Sequence, residues 1–363
     1  MQIRGTLVEP DEVLDTIPEI SHDGRPATGH KIGIVGLGKM GLLHGAIASL
    51  LGCGSLEAVV DTSRFLSTGA GLIMRGTSFF TSLDKMLDKI DPDVVYVTTP
   101  VRTHFEILLR LIEHGVKYVF VEKPPTVDSK QLSEIIVANQ DKRSMIMVGL
   151  QKRYALTFRH AKLLLDHDIT RGPLHVVSSI KSNDITRRTS RFDSVGRGVL
   201  LDLGIHLVDL LTWMLGIEAV LTARSKSLHT RVDDVFQAVL LDKKANRINL
   251  DISWSDPGYR IPETSIHIEG SNFAMTVTED SLDVTLGEEG SGRIRRKASF
   301  QKPHYYGKTP PVNLADPEYT LENLHFYYCI QGNREPLTAL TGLERTTKII
   351  DQMYSRAGAE DHV

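Results

Sequence analysis

The sequence predicts an α/β chain in two parts, a doubly wound parallel sheet followed by an α+β part with a large, mainly antiparallel open sheet. Three observations predict it. From Lys31 onward, short and near-continuously apolar runs alternate with longer amphipathic ones, as strands covered on both faces do with their crossover helices. From Ala219 to Leu286 strand-like runs follow one another at short intervals, broken by Gly, Asn and Asp turn residues. The 363 residues exceed one ordinary domain and can fill two cores.

The strands of the first part are expected at about 31 to 35, 56 to 61, 93 to 98, 117 to 122 and 145 to 149. Its helices are expected at about 39 to 51, 82 to 89, 102 to 114 and 128 to 139. Asp128 and Gln131 have capping-box spacing at the last of these, and Gly52 and Gly115 stand where left-handed C-terminal caps are wanted. The second part reads as a helix near 156 to 167, a strand near 174 to 182, an arginine-rich loop, an apolar helix near 199 to 215, the strand cluster, and helices near 318 to 331 and 340 to 355. The expected division is an N-terminal arm over 1–30, a parallel-sheet domain over 31–153, an α+β domain over 154–340, and a C-terminal helix over 341–363 packing back on the parallel-sheet domain.

Composition excludes several classes of function. With 41% hydrophobic and 24% charged residues the chain reads as globular, not disordered. Its 42 Lys and Arg against 45 Asp and Glu provide no broad positive field, so nucleic acid is not an expected partner. No apolar run reaches the roughly 20 residues of a spanning helix, and the opening residues lack the apolar centre of a secretory signal. A cytoplasmic location, away from membranes, is the expectation. The two cysteines, Cys53 and Cys329, fall in different expected domains, so they offer no disulfide framework or zinc site and should be small buried apolar residues.

Gly36, Gly38 and Gly41 form G-x-G-x-x-G directly after a strand and at the start of a helix, the context in which the pattern has weight. The first glycine permits the tight turn, the second lets backbone N–H groups approach a pyrophosphate, and the third allows helix and strand to pack closely. Lys39 and Met40 lie within this turn. Asp61 follows Gly41 by about 20 residues, the position from which a carboxylate reaches the adenosine ribose. A Rossmann domain that prefers NAD follows, although the nearby Arg64 leaves NADP open. A P-loop, for which Gly33, Gly38 and Lys39 supply a partial match, is set aside because Met40 occupies the Ser or Thr position.

Two further groups of residues have the chemistry of a catalytic centre. Lys123, in Glu122-Lys123-Pro124-Pro125, ends a strand on the edge where such sheets bind ligands. A lysine desolvated beside the positive nicotinamide ring would have a lowered pKa and could exchange a proton near neutrality. The plain alternative is a surface lysine in a loop. Asp202 and His206 are spaced i, i+4 in an otherwise apolar helix, where burial is costly unless the two pair or serve a cavity. Asp202 could orient His206 or accept from Lys123, while His206 exchanges a proton with a substrate hydroxyl as hydride leaves the same carbon. A core pair of His206 with Asp202 or Asp209 is the alternative, and no metal-ligand pattern is present. Arg187, Arg188, Arg191 and Arg197 form a cationic loop before this helix, either solvated surface or a site for an anionic sugar.

GIVGLGKMG, TTPVRTHFE, VEKPP, VGLQKRY, GVLLDLGIHLVDLL and ETSIHIEGSNFAMTV, in that order from Lys31 to Tyr354, resemble the Gfo/Idh/MocA oxidoreductases, which include glucose-fructose oxidoreductase and inositol dehydrogenases. The resemblance implies Lys123, Asp202 and His206 as the catalytic group, which also contacts substrate. It places Thr98, Thr99, Pro100, His104 and Glu122 near the cofactor, has Gln151 and Arg153 facing nicotinamide and substrate, and implies a cis bond before Pro124. The substrate it implies is a sugar, sugar derivative, nucleotide sugar or cyclitol, and the assembly a homodimer or homotetramer paired through the open sheet. Pro125, Thr126 and Arg197 depart from the usual pattern and adjoin the pocket, which leaves the substrate open. Relatives that cleave glycosides by transient oxidation, or that bind NAD as sensors, are the competing readings; the retained Lys, Asp and His weigh against a sensor.

Overall fold

The computed structural model describes residues 29–63, 76–141, 143–166, 172–187, 189, 197–286, 296–301 and 317–360. Residues 1–28 of the arm expected over 1–30, and Arg64, Arg188 and Arg191, lie outside the described residues. Two compact units are present, one holding described residues 29–151 with 317–344, the other 152–301 with 345–360.

In the first unit the strands are β1 (Lys31–Val35), β2 (Ser55–Val60), β3 (Ser78–Phe80), β4 (Val94–Val97), β5 (Tyr118–Glu122) and β6 (Met145–Gly149). All pairings are parallel, in the order β3-β2-β1-β4-β5-β6. This is the doubly wound order, which reverses direction between β1 and β4 and opens a crevice beyond the carboxyl ends of those strands. The crossover helices are α1 (Lys39–Leu51), α2 (Leu83–Ile90), α3 (His104–His114) and α4 (Ser129–Asn139). The valines of β1, β4, β5 and β6 bury against Leu87, Leu108, Leu111, Leu132 and Ile135. Helix ends follow the expected chemistry: Gly52 and Gly115 take φ of 65° and 87°, and Asp128 accepts from Gln131 N–H at 2.8 Å. The sequence reading lacks β3, whose three residues are too short to show a period.

The second unit contains α5 (Leu156–Asp166), β7 (His175–Lys181), a π-turn over Leu200–Gly204, α6 (Ile205–Leu215), β8 (Ile217–Lys226), β9 (Val235–Asp242), β10 (Arg247–Ser253), β11 (Glu263–Glu269), β12 (Phe273–Thr278), β13 (Ser281–Leu286) and β14 (Arg296–Gln301). The strands form one sheet in the order β14-β13-β12-β11-β7-β10-β9-β8. Every pairing is antiparallel except β7 with β10, so the sheet is mainly antiparallel, as expected. Alternation along the strands decides the buried face. Phe236, Ala238 and Leu240 of β9 and Ile248, Leu250 and Ile252 of β10 are buried, while Gln237 and Asn249 are exposed on the opposite face.

The last two helices are α7 (Pro317–Gly332) and α8 (Glu344–Glu360). The sequence reading packs 341–363 on the parallel-sheet domain and leaves the helix near 318 to 331 with the α+β domain; the structure exchanges these places. In α7, Phe326 meets Tyr96 and Phe120 of the parallel sheet at ring separations of 6.0 and 5.7 Å. In α8, Arg345 donates to the Ile217 carbonyl at 2.8 Å and Tyr354 meets Phe236 edge-on, both in the second unit. An amphipathic period announces an apolar face without naming the core that receives it. For the same reason the cysteines share one unit: Cys53 and Cys329 both lie buried in the first. Burial raises their thiols to about 12 and about 11. Among the described residues no helix is long and apolar enough to cross a membrane.

Candidate functional site

The glycine turn after β1 shows the three uses expected of it. Gly36 has φ +99°, and a Cβ there would meet Thr99 at 2.9 Å. Gly38 has nothing within 4 Å of a Cβ position, so its backbone is open to a ligand. Gly41 is packed so closely that a Cβ would strike the Gly36 carbonyl oxygen, and Thr98 Oγ1 donates to that same oxygen at 2.6 Å. Lys39, Met40 and Gly41 form the first turn of α1, which has no side-chain cap, so its leading N–H groups are available to an anion.

Asp61 follows β2 and closes the turn. Its Oδ2 accepts from Leu37 N–H at 2.8 Å and its Oδ1 from Ser63 N–H at 2.7 Å. An ionised carboxylate offers roughly four acceptor positions, so the remainder can serve ribose hydroxyls. An open cradle, uncapped N–H groups and a carboxylate at its rim together fit a dinucleotide.

The loops after β4 and β5 are tied together by a buried histidine. His104 Nε2 lies 2.7 Å from the Thr99 carbonyl and its Nδ1 2.9 Å from the Pro124 carbonyl. Burial lowers its pKa, outweighing the two carbonyl acceptors. His104 is therefore an internal brace, with Thr99 and Pro100 held further by the Thr103 hydroxyl at 2.8 Å from each.

Glu122 ends β5 and is buried. Its Oε2 accepts the Lys123 backbone N–H at 3.1 Å and its Oε1 the His44 Nε2–H at 2.8 Å. Asn323 of α7 donates to the other ring nitrogen of His44 at 2.9 Å, and Tyr96 donates to Asn323 at 2.9 Å. Glu322 lies fully buried in the same place, and burial together with the charge of Glu122 pushes its carboxyl well above the ordinary range. Sequence reasoning missed His44, Tyr96, Glu322 and Asn323. His44, the one titratable side chain in the interior of the apolar α1, was the available signal. Lys123 itself is half-buried and joins Pro124 through a cis bond. Gln151 donates to the Tyr319 hydroxyl at 3.1 Å.

In the second unit Asp202 is half-buried within the π-turn and His206 is buried in the first turn of α6. The i→i+5 bonding of a π-turn widens it, so Asp202 and His206 are not separated by the angular step of a regular α-helix. Such turns gather at functional sites. Gly204 lets this one press on β10, since a Cβ there would come within 2.6 Å of Ile252 Cδ1.

Two of the arginines singled out in the sequence have acidic partners in this unit. Asp209 is the partner of Arg153, whose Nε and Nη2 each donate to it at 2.6 Å, with Thr346 Oγ1 at 3.3 Å from the same carboxylate. A buried fork of this kind fixes the guanidinium, and it gives Asp209 a partner other than His206. Arg197 pairs with Asp351 at 2.5 Å and stacks 3.9 Å over the Tyr354 ring, so it does not stand in a free cationic cluster with the exposed Arg187.

Comparison with known proteins accords with this arrangement. The signature described as "Oxidoreductase family, NAD-binding Rossmann fold" matches residues 30–150, and that of the "GFO/IDH/MocA C-terminal domain" matches residues 159–275. Inositol 2-dehydrogenase 4 of Saccharopolyspora erythraea is 30% identical over 52% of this chain and 54% of its own. That match spans about half the length of the relative. The scyllo-inositol 2-dehydrogenase (NAD(+)) of Bacillus subtilis is 23% identical over 87% of this chain and 90% of its own. Among solved structures, levoglucosan dehydrogenase in complex with NADH and levoglucosan has the same fold, with a TM-score of 0.78 at 18% identity over 91% of this chain and 98% of the other.

Proposed function

This chain belongs to the Gfo/Idh/MocA oxidoreductase family, and from that premise we propose that it is an NAD-dependent dehydrogenase acting on a secondary hydroxyl, or the matching keto carbon, of a sugar, sugar derivative, nucleotide sugar or cyclitol. The observation that carries the reading is the glycine cradle closed by Asp61, on the same sheet edge as Lys123. The substrate class is supported by the relatives, which are named for inositols and levoglucosan.

NAD held in the cradle supplies a hydride acceptor, and in reduced form a donor. The N–H groups that open α1 bind its pyrophosphate, with Thr98 holding the turn in shape. Asp61 accepts from the ribose hydroxyls, and its charge disfavours the extra phosphate of NADP. Lys123, its backbone fixed by Glu122, presents an amine that orients the substrate oxygen and shares its proton. His206 accepts the hydroxyl proton during oxidation and returns it during reduction, and Asp202 stabilises the charged imidazole. A cytoplasmic homodimer or homotetramer, paired through the exposed face of the large sheet, completes the reading.

The test is a panel of cyclitols, sugars and nucleotide sugars followed by NADH absorbance, with NADH affinity measured separately by fluorescence. At least one compound should reduce NAD, and Lys123→Ala should lower turnover by about 100-fold or more with NADH affinity nearly unchanged. A panel without turnover by a chain that binds NADH, or an unimpaired Lys123→Ala enzyme, refutes the proposal.

A further inference from the structure

The backbone that opens the π-turn is held by side chains remote in sequence. Leu200 N–H donates to Asp233 Oδ2 at 3.1 Å, and Leu201 N–H to the Tyr354 hydroxyl at 3.2 Å. Val199 N–H donates to the Asp233 carbonyl at 2.8 Å. Gly198, at φ +121°, passes so close that a Cβ would run into the Asp233 carboxylate. Three segments therefore meet at one turn: the approach to the π-turn, the connection between β8 and β9, and α8.

The tyrosine is itself immobilised. Arg197 lies 3.9 Å over its ring while pairing with Asp351 one turn earlier on α8, and Phe236 packs against it edge-on at 5.6 Å. Asp233 is buried, and its neighbour Asp234 spends its carboxylate on the N–H groups of Leu228 and His229. The two acceptors at the π-turn thus sit in fixed surroundings.

A π-turn is the less favoured register of a helix, and one that persists needs specific support. Relaxation of this turn to α-helical bonding would rotate Asp202 relative to α6 while leaving His206, in the regular helix, where it is. We infer that Tyr354 and Asp233 are positioning residues for the reaction, holding the π-turn in the register that aims Asp202. The inference rests on the proposed proton-handling role of Asp202 and His206.

Tyr354→Phe keeps the ring, the Arg197 stack and the Phe236 contact and removes the hydroxyl, which accepts from Leu201 N–H and is hydrogen-bonded to the Asp233 carboxylate. Asp233→Asn keeps one acceptor and removes the charge. In the full chain with NADH bound, both should quicken amide hydrogen exchange across 199–206, and kcat should fall about tenfold with sugar KM and NADH affinity within twofold of the parent. Unchanged exchange in both variants overturns the anchoring whatever the activity. Quickened exchange with unchanged kcat overturns the positioning role and reduces the pair to a structural cap. A parent chain without turnover on any sugar, but with quickened exchange in the variants, overturns the reading of Asp202 while leaving the anchoring itself observed.

Discussion

Arg153, which the resemblance turns toward nicotinamide and substrate, is held by Asp209, and what that buried pair contributes can be measured. Its side chain is 7% exposed and that of Asp209 1%, with two N–O contacts of 2.6 Å. Replacing Arg153 by Met leaves a buried carboxylate facing the Thr346 hydroxyl at 3.3 Å, and the loss of one partner of a buried pair costs about 3–5 kcal/mol. For a unit of this size each kcal/mol moves the melting temperature by roughly 2–4 °C, so a fall of roughly 6–20 °C is expected. Tryptophan fluorescence reads this unit selectively, because both tryptophans, Trp213 and Trp254, belong to it, and Trp213 lies 5.6 Å from the Arg153 guanidinium. Arg153→Met with Asp209→Leu should recover most of the loss, since an apolar pair has no charge to strand. A melting temperature within about 2 °C of the parent for Arg153→Met, accompanied by a large rise in sugar KM, would refute the reasoning and return Arg153 to the substrate.

Asp61→Ala removes both the fastener of the glycine turn and the acceptor for the ribose, and hydrogen bonds to a charged group are worth about 1.5–3 kcal/mol, so NADH affinity should fall roughly 10- to 150-fold by fluorescence titration; an unchanged Kd sinks the assignment. Burial raises Asp233 from the ordinary carboxylate range to about 6, so the folded chain holds a proton there that the unfolded chain releases. The stability contributed at this position is therefore present at low pH and lost as pH rises from about 4 to about 6. In urea unfolding across that window the parent should lose stability relative to Asp233→Asn, with a constant difference above it; a relative gain with rising pH contradicts the burial argument.

Local chemistry accounts for the parts that were legible beforehand. Strands β1, β4 and β5 are apolar along their length because helices cover both faces, and α1 begins where a glycine turn requires it. Asp61 stands at a distance from Gly41 that one strand and one helix dictate. The short β3 carries too few residues for a period. The parallel pairing of β7 with β10 is invisible to alternation, which reports the buried face of each strand and not its neighbour.

By itself the sequence determined the two-part α/β plan, the glycine turn with its acid, and the identities of Lys123, Asp202 and His206 as candidates, because each depends on residues within one or two elements. Tertiary structure alone decided which core receives α7 and α8, that Arg153 is spent on Asp209, that His44 and Asn323 stand behind Glu122, and that the segment carrying Asp202 is a π-turn. Those outcomes depend on partners brought together from 56 to 279 positions away. A charged or polar side chain takes whichever buried partner offsets its desolvation, and only the folded chain sets that choice.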